Sequence, residues 1–172
     1  MLLSLLLAAT VALAGPPSAP HPNVFKDRIA KRLDLDLGHL SIELSTKLDP
    51  TIAGVACNPS LILINKETWE ETYTTKKLLL VMHEIGHTLF LVHDDTVIEK
   101  NLNGVVVPIY ASVMSTLYGS LTDVTGRIFI DHYFEQLAHD LKNKTSKTMM
   151  WEMFSSSIFN STKEKCEANY GP

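Results

Sequence analysis

The sequence has no surplus of charge of either sign: fifteen Lys and Arg stand against nineteen Asp and Glu, a formal net charge of −4. Nucleic acids and acidic membrane surfaces select a clustered positive excess, so neither partner is suggested. It also lacks an apolar run long enough to span a bilayer. The most apolar stretch, Met1 to Ala14, falls short of the about 20 residues a transmembrane helix needs. No internal repeat is present, which sets aside solenoids and propellers. Cysteine is scarce, with only Cys57 and Cys166, and neither is near enough in sequence to the histidine cluster described below to suggest a metal site of its own. Within these exclusions, 172 residues are enough for one domain with a real core.

Met1 to Ala14 ends in Ala12-Leu13-Ala14 before Gly15 and reads as the apolar region and cleavage site of a secretory signal, although Lys and Arg are missing near Met1. The expected location is therefore secreted or periplasmic, without a stable membrane anchor. Residues 15–22 carry four prolines and read as a tether, so the folded domain is expected over 23–172. In an oxidising compartment Cys57 and Cys166 can join and tie the C-terminal tail across the domain. Two unrelated thiols are the alternative.

Phe25, Ile29 and Leu33 recur every fourth position and Gly38 follows, which predicts an amphipathic helix from Asn23 to Leu37. Leu40 to Ser45 alternates apolar and polar residues, as a half-buried strand does. Ile52 to Cys57 and Leu61 to Ile64, separated by Asn58-Pro59-Ser60, read as two strands around a turn. Lys66 to Thr74 reads as a short helix or loop. Asp94 to Asn103 reads as a polar connection ending in the turn Asn103-Gly104, and Val105 to Ile109 as an apolar run. Thr122 to Asn143 predicts a second amphipathic helix, with Phe129, Tyr133, Leu137 and Leu141 on one face and Thr122 or Thr125 as its cap. Met149 to Phe154 forms an apolar cluster suited to docking on the body.

The stretch that carries chemistry is Leu78 to Asp94. Its first turns are apolar on nearly every side, which predicts a buried helix, yet it bears His83, Glu84 and His87. His83 and His87 are four residues apart and stack on one face, and Glu84 projects toward the same side. Burying two imidazoles and a carboxylate without partners costs several kcal/mol. A zinc ion offsets that cost: imidazoles ligate it, and the adjacent carboxylate can serve as general base to a bound water. The competing reading is a pair of core histidines held by backbone carbonyls.

The spacing continues as His83-Glu84-x-x-His87-x-x-x-x-x-His93, Asp94 follows, and Ser112-Val113-Met114-Ser115 stands downstream. This constellation resembles the metzincin clan of zinc endopeptidases, and the His93-Asp94 pair is most similar to its adamalysin-type members. The resemblance implies His83, His87 and His93 as zinc ligands, Glu84 as catalytic base and Met114 as the Met-turn residue. It implies a zincin-like α+β fold: a small, twisted, mixed or mainly antiparallel sheet on the buried active-site helix, then a Met-turn and a C-terminal helix. Substrate would lie along an edge strand within Ile52 to Ile64. The implied activity is hydrolysis of peptide bonds in a polypeptide substrate by a monomer.

The family has Gly where this chain has Phe90, and a helix running on through Phe90 would turn His93 away from His87. Asp94, Asp95 and Glu135 are therefore rivals for the third ligand. Thr116 replaces a tyrosine found in several members, leaving Tyr110 and Tyr118 as looser candidates. His132 and His139 read as packing or surface residues, and no cysteine-containing latency segment precedes the domain. Two alternative functions stay open: a zinc-binding but non-catalytic peptide-binding or inhibitory relative, and a zinc hydrolase of another clan with an acidic third ligand.

Overall fold

Proline's fixed φ suits the first position of a helix, and α1 (Pro22–Leu33) begins at such a residue, with His21 Nδ1 accepting the Asn23 N–H at 3.3 Å. The computed structural model describes residues 19–115, 123–143, 166, 168 and 169. Pro22 is buried, and the Trp69 indole N–H donates to the Pro20 carbonyl at 3.1 Å, so the end of the expected tether is part of the body. The helix stops at Leu33, four residues before the predicted end, because Asp34 adopts a left-handed conformation with φ 53°. Aspartate tolerates that conformation better than most residues. The chain then folds back to bury Leu37 and Leu40.

Three strands form a mixed sheet in the order β1-β3-β2 (β1, Ser41–Ser45; β2, Gly54–Asn58; β3, Leu61–Asn65). The central β3 is parallel to β1 and antiparallel to β2, with a register shift at Cys57. Asn58 closes the β2–β3 turn by accepting from the Ser60 N–H at 2.8 Å and hydroxyl at 2.7 Å. Ile62, Leu63 and Ile64 are fully buried, as a central strand covered on both faces requires. β2 is left at the edge.

Asn65 then caps α2 (Lys66–Glu71) by accepting the Thr68 N–H at 3.1 Å, which buries Trp69 edge-on against Phe25. Helix α3 (Thr74–Thr88) runs through the interior, packed against α1, the sheet and the later helix α4 (Asp123–Lys142). α4 presents Phe129, Tyr133 and Leu137 to the core, and Arg32 of α1 reaches it to pair with Asp131 and cover the Phe134 ring. The elements thus make a mixed α+β unit with four helices and two small sheets among the described residues.

The second sheet corrects the expectation of a polar connection after His93. Val97–Leu102 (β4) pairs antiparallel with Val105–Tyr110 (β5) across the two-residue turn Asn103-Gly104, whose φ values of 52° and 90° suit a tight hairpin. Ile98, Lys100 and Leu102 are half-buried at alternate positions while Val97, Glu99 and Asn101 face solvent, a weak period that a polar composition conceals. The signal region 1–14, Thr116, Tyr118, the Thr122 cap and the Met149 to Phe154 cluster lie outside the described residues.

Cys57 and Cys166 form a disulfide across a sequence separation of 109 residues, in a small buried cluster with Leu48 and Leu63. Closing a loop of that length stabilises by about 3–5 kcal/mol, mainly by restricting the unfolded chain. Protein folded under oxidising conditions is expected to show no alkylatable thiol by intact mass. The double substitution Cys57→Ser, Cys166→Ser should lower unfolding free energy by that amount. Two alkylated thiols in unreduced protein would remove this constraint from the fold.

Candidate metal centre

Every residue of α3 from Lys77 to Gly86 is buried, so His83 and Glu84 enter the interior with the apolar residues around them. The helix ends where its last carbonyls find donors in a left-handed turn. The Leu91 N–H donates to Gly86 O at 2.9 Å and the Phe90 N–H to His87 O at 3.0 Å. These are the paired bonds of a Schellman motif, with Phe90 in the left-handed position at φ 67°. The chain reverses there, and His93 returns toward His87.

That reversal also orients the second histidine: His87 Nδ1 donates to the Leu91 carbonyl at 3.1 Å. His83 Nδ1 donates to the Val113 carbonyl at 2.9 Å. A carbonyl oxygen only accepts, so each neutral ring carries its proton on Nδ1 and presents a bare Nε2. His87 Nε2 lies 3.1 Å from His83 Nε2 and 3.0 Å from His93 Nε2. Between His83 and His87 this places two lone pairs face to face, which a cation relieves and a hydrogen bond does not. The three ligand atoms lie within 4.8 Å of one another and can hold a metal ion.

The rivals for the third position make other contacts or stand exposed. Asp94 accepts the Thr96 N–H at 3.0 Å, and Asp95 accepts the Ser115 hydroxyl at 2.8 Å. Glu135 is exposed on α4. His132 Nε2 donates to the Ala111 carbonyl at 3.1 Å, and His139 is exposed beside Asp140. Tyr110 is half-buried at the end of β5.

Residues 112–115 form a floor beneath α3. Ser112 Oγ accepts the Met114 N–H at 3.1 Å, and the Met114 carbonyl accepts the Asp94 N–H at 3.1 Å, so this turn fixes both Val113 O under His83 and the segment after His93. Met114 is buried against Gly86, where an added Cβ would stand 2.2 Å from Met114 Sδ. Any larger residue at 86 would displace the methionine. Gly54 does the same on the other side: a Cβ there would lie 3.0 Å from Glu84 Oε1. Sequence reasoning missed Gly54, Ala56 and the Val113 carbonyl. Only Gly86, a glycine inside a helix, left a signal.

Glu84 is buried beside β2, its carboxylate accepting the Ala56 N–H, and burial raises its pKa to about 8 despite that bond. Burial lowers His83 to about 4 and lowers His87 as well, with their carbonyl partners opposing part of the effect. Both imidazoles are thus neutral near pH 7, the form that ligates metals. An open cleft of about 480 Å³ runs over these groups, walled by β2 on one side and by residues 88–93 on the other. Compared with known proteins, the chain matches no family model, no curated protein and no solved structure.

The two shifts act on stability with opposite signs. His83, at about 4 in the fold against 6.5 in the unfolded chain, makes the unfolded state bind more protons between those values, so stability falls as pH drops from 6.5 toward 4. Glu84, at about 8 against 4.5, makes the folded state hold the extra proton, so stability falls as pH rises from 4.5 toward 8. In metal-free protein, Glu84→Gln is expected to exceed the parent in stability by a few kcal/mol at pH 8, with the gap closing toward pH 5. Urea unfolding in chelator at both pH values measures it. A gap that does not change with pH would mean that Glu84 is not titrating in a buried site.

Proposed function

We propose that this chain is a zinc-dependent endopeptidase of the metzincin type, hydrolysing peptide bonds of a polypeptide. The observation that carries the reading is the meeting of three imidazole Nε2 atoms with one buried carboxylate on the floor of an open cleft. Zinc–nitrogen bonds of about 2.0–2.1 Å at tetrahedral angles set ligand nitrogens about 3.3 Å apart. The spacings of 3.1 and 3.0 Å fit that value. Three protein ligands with one position open to a cleft is the pattern of catalytic zinc sites, whereas structural sites use four.

Zinc held by His83, His87 and His93 would supply Lewis acidity toward a carbonyl and toward a water molecule. The chain supplies the rest. His83 and His87 are fixed in rotation by Val113 and Leu91, so their Nε2 atoms need no reorganisation. Glu84, held against β2 by the Ala56 N–H, takes a proton from the attacking water and returns it to the leaving amine. β2 is an edge strand on the cleft wall, so an extended peptide can lie beside it as an added strand. The turn at 112–115, with Met114 under Gly86, supports the metzincin reading, as does the left-handed turn that brings His93 round. The Cys57–Cys166 bridge supports an oxidising, exported location. No described helix is long and apolar enough to cross a membrane.

Purified protein is expected to hold about one zinc per chain by mass spectrometry of the metal and to cleave an unfolded protein at neutral pH. Glu84→Gln should retain the zinc and lose at least about 100-fold in cleavage. His93→Ala should weaken zinc binding strongly, and Glu135→Ala should leave it unchanged. Bound zinc with no cleavage across a broad peptide library would replace this reading with that of a peptide-binding module. Normal zinc binding by His93→Ala would remove the metzincin assignment.

A further inference from the structure

The Val113 carbonyl sets the rotation of His83, yet Val113 belongs to no strand: β5 ends at Tyr110, and the chain continues to Ser115 as a turn. A carbonyl in such a segment keeps its place only when the residues on either side of it are held. On the far side the segment after His93 does this, with the Asp94 N–H donating to Met114 O at 3.1 Å and the Ser115 hydroxyl to Asp95 at 2.8 Å. On the near side two elements take part. The Ala111 N–H donates to Thr96 O at 2.8 Å, at the base of the β4–β5 hairpin. From α4, His132 Nε2 donates to Ala111 O at 3.1 Å, and Asp140 Oδ2 accepts the Ser112 hydroxyl at 3.4 Å. Ser112 is buried, and its oxygen already accepts the Met114 N–H at 3.1 Å, so its proton needs an acceptor such as this carboxylate.

His132 and Asp140 stand eight residues apart and therefore share one face of α4, with Gln136 midway between them. Gln136 Nε2 donates to Asp140 Oδ1 at 2.9 Å, which fixes the carboxylate that meets Ser112. All three side chains are half-buried, in a polar stripe beside the apolar stripe of Phe129, Tyr133 and Leu137. Packing alone would favour apolar residues there, since partly burying an imidazole, an amide and a carboxylate costs free energy unless each is hydrogen-bonded. The bonds that offset this cost lead to residues 111 and 112.

We propose that His132 and Asp140 are positioning residues for the metal centre. By holding Ala111 and Ser112 they fix the Val113 carbonyl, and that carbonyl keeps the His83 proton on Nδ1 and its Nε2 bare toward His87. The inference rests on the zinc site of the reading above and not on peptide cleavage.

The test reads His83 directly in metal-free protein at neutral pH, by long-range proton–nitrogen NMR of the histidine rings, which reports the nitrogen that carries the proton. Zinc affinity is measured alongside by competition with a chelator. His132→Leu and Asp140→Leu remove the donor and the acceptor, whereas His132→Gln and Asp140→Asn retain them. Arg32→Ala is the control for stability, since it removes the Asp131 pair and the cover on the Phe134 ring at the α1 side of α4. The parent is expected to carry the His83 proton on Nδ1. Each leucine variant should move the balance about fivefold toward Nε2–H, the scale of one weakened hydrogen bond, and weaken zinc binding about tenfold. His132→Gln and Asp140→Asn should return both readings to within about threefold of the parent. Arg32→Ala should melt lower and change neither.

Parent-like ring protonation and zinc affinity in both leucine variants overturn the proposal, as does a parent with the His83 proton on Nε2. Losses that Arg32→Ala reproduces, or that neither His132→Gln nor Asp140→Asn relieves, assign the stripe to packing and overturn it too. His132→Ala and Asp140→Ala are read in place of a leucine variant that does not fold. A parent that binds no zinc removes the zinc reading, and the ring protonation then decides this inference by itself. Zinc binding without cleavage removes only the peptidase reading, while both measurements on the variants decide the positioning role.

Discussion

The arrangement depends on how one helix ends. Had α3 continued past Thr88, His93 would point away from His87, and the chain would hold two buried imidazoles with no third. The Leu91 N–H to Gly86 carbonyl bond stops it, and the next carbonyl along, that of Leu91, accepts from His87 Nδ1. Helix termination and ligand orientation are therefore a single hydrogen-bonded unit spanning residues 86–91. Gly86 serves this unit twice, through its carbonyl and through the missing side chain that admits Met114 beneath the helix. The residues responsible for the metal-binding geometry are mostly not ligands.

The same helix carries an electrostatic burden. His83 and Glu84 sit side by side in sequence, each driven by burial toward its neutral form, one downward to about 4 and the other upward to about 8. Without a cation the interior tolerates them only as neutral groups. A metal ion held among the three Nε2 atoms would invert that logic, because a nearby positive charge favours ionised carboxylate and lone-pair donors together. Metal binding and stability are then linked: whatever free energy the ion contributes is expressed partly as relief of groups that burial had penalised.

What could be read from the sequence was local. The histidines, Glu84 and the greasy helix around them were visible because periodicity places them on one face regardless of what surrounds it. The β2–β3 pair was visible because Asn58-Pro59-Ser60 interrupts two apolar runs. Non-local facts were not visible. Nothing in the order of residues says that Val113 O stands under His83 or that Gly54 lies against Glu84, since those depend on how the sheet and the 112–115 turn pack on α3. The early end of α1 at Asp34 and the β4–β5 hairpin were missed for a related reason. In each, a polar residue type concealed a backbone conformation or an alternating period that the surrounding core enforces. Phe90 shows the opposite case, where a local rule favouring glycine is violated and the turn forms nonetheless, held by bonds on both sides of it.

The cleft wall is held from two directions. From below, the Glu84 carboxylate accepts the Ala56 N–H, tying the middle of β2 to α3. At the far end of the strand, Cys57 is bonded to Cys166 where the register with β3 shifts. An isolated edge strand of five residues would be free to peel from its one neighbour, and the cleft would widen as it did so. Pinning it at adjacent residues, once covalently and once through the group proposed to move protons, makes the distance between wall and base a property of the fold. On the proposed peptidase reading, a peptide added beside β2 would meet Glu84 at a set depth, so positioning for reaction would be supplied before the peptide arrives. This explains why a small three-stranded sheet can suffice: its edge is braced by the site it serves.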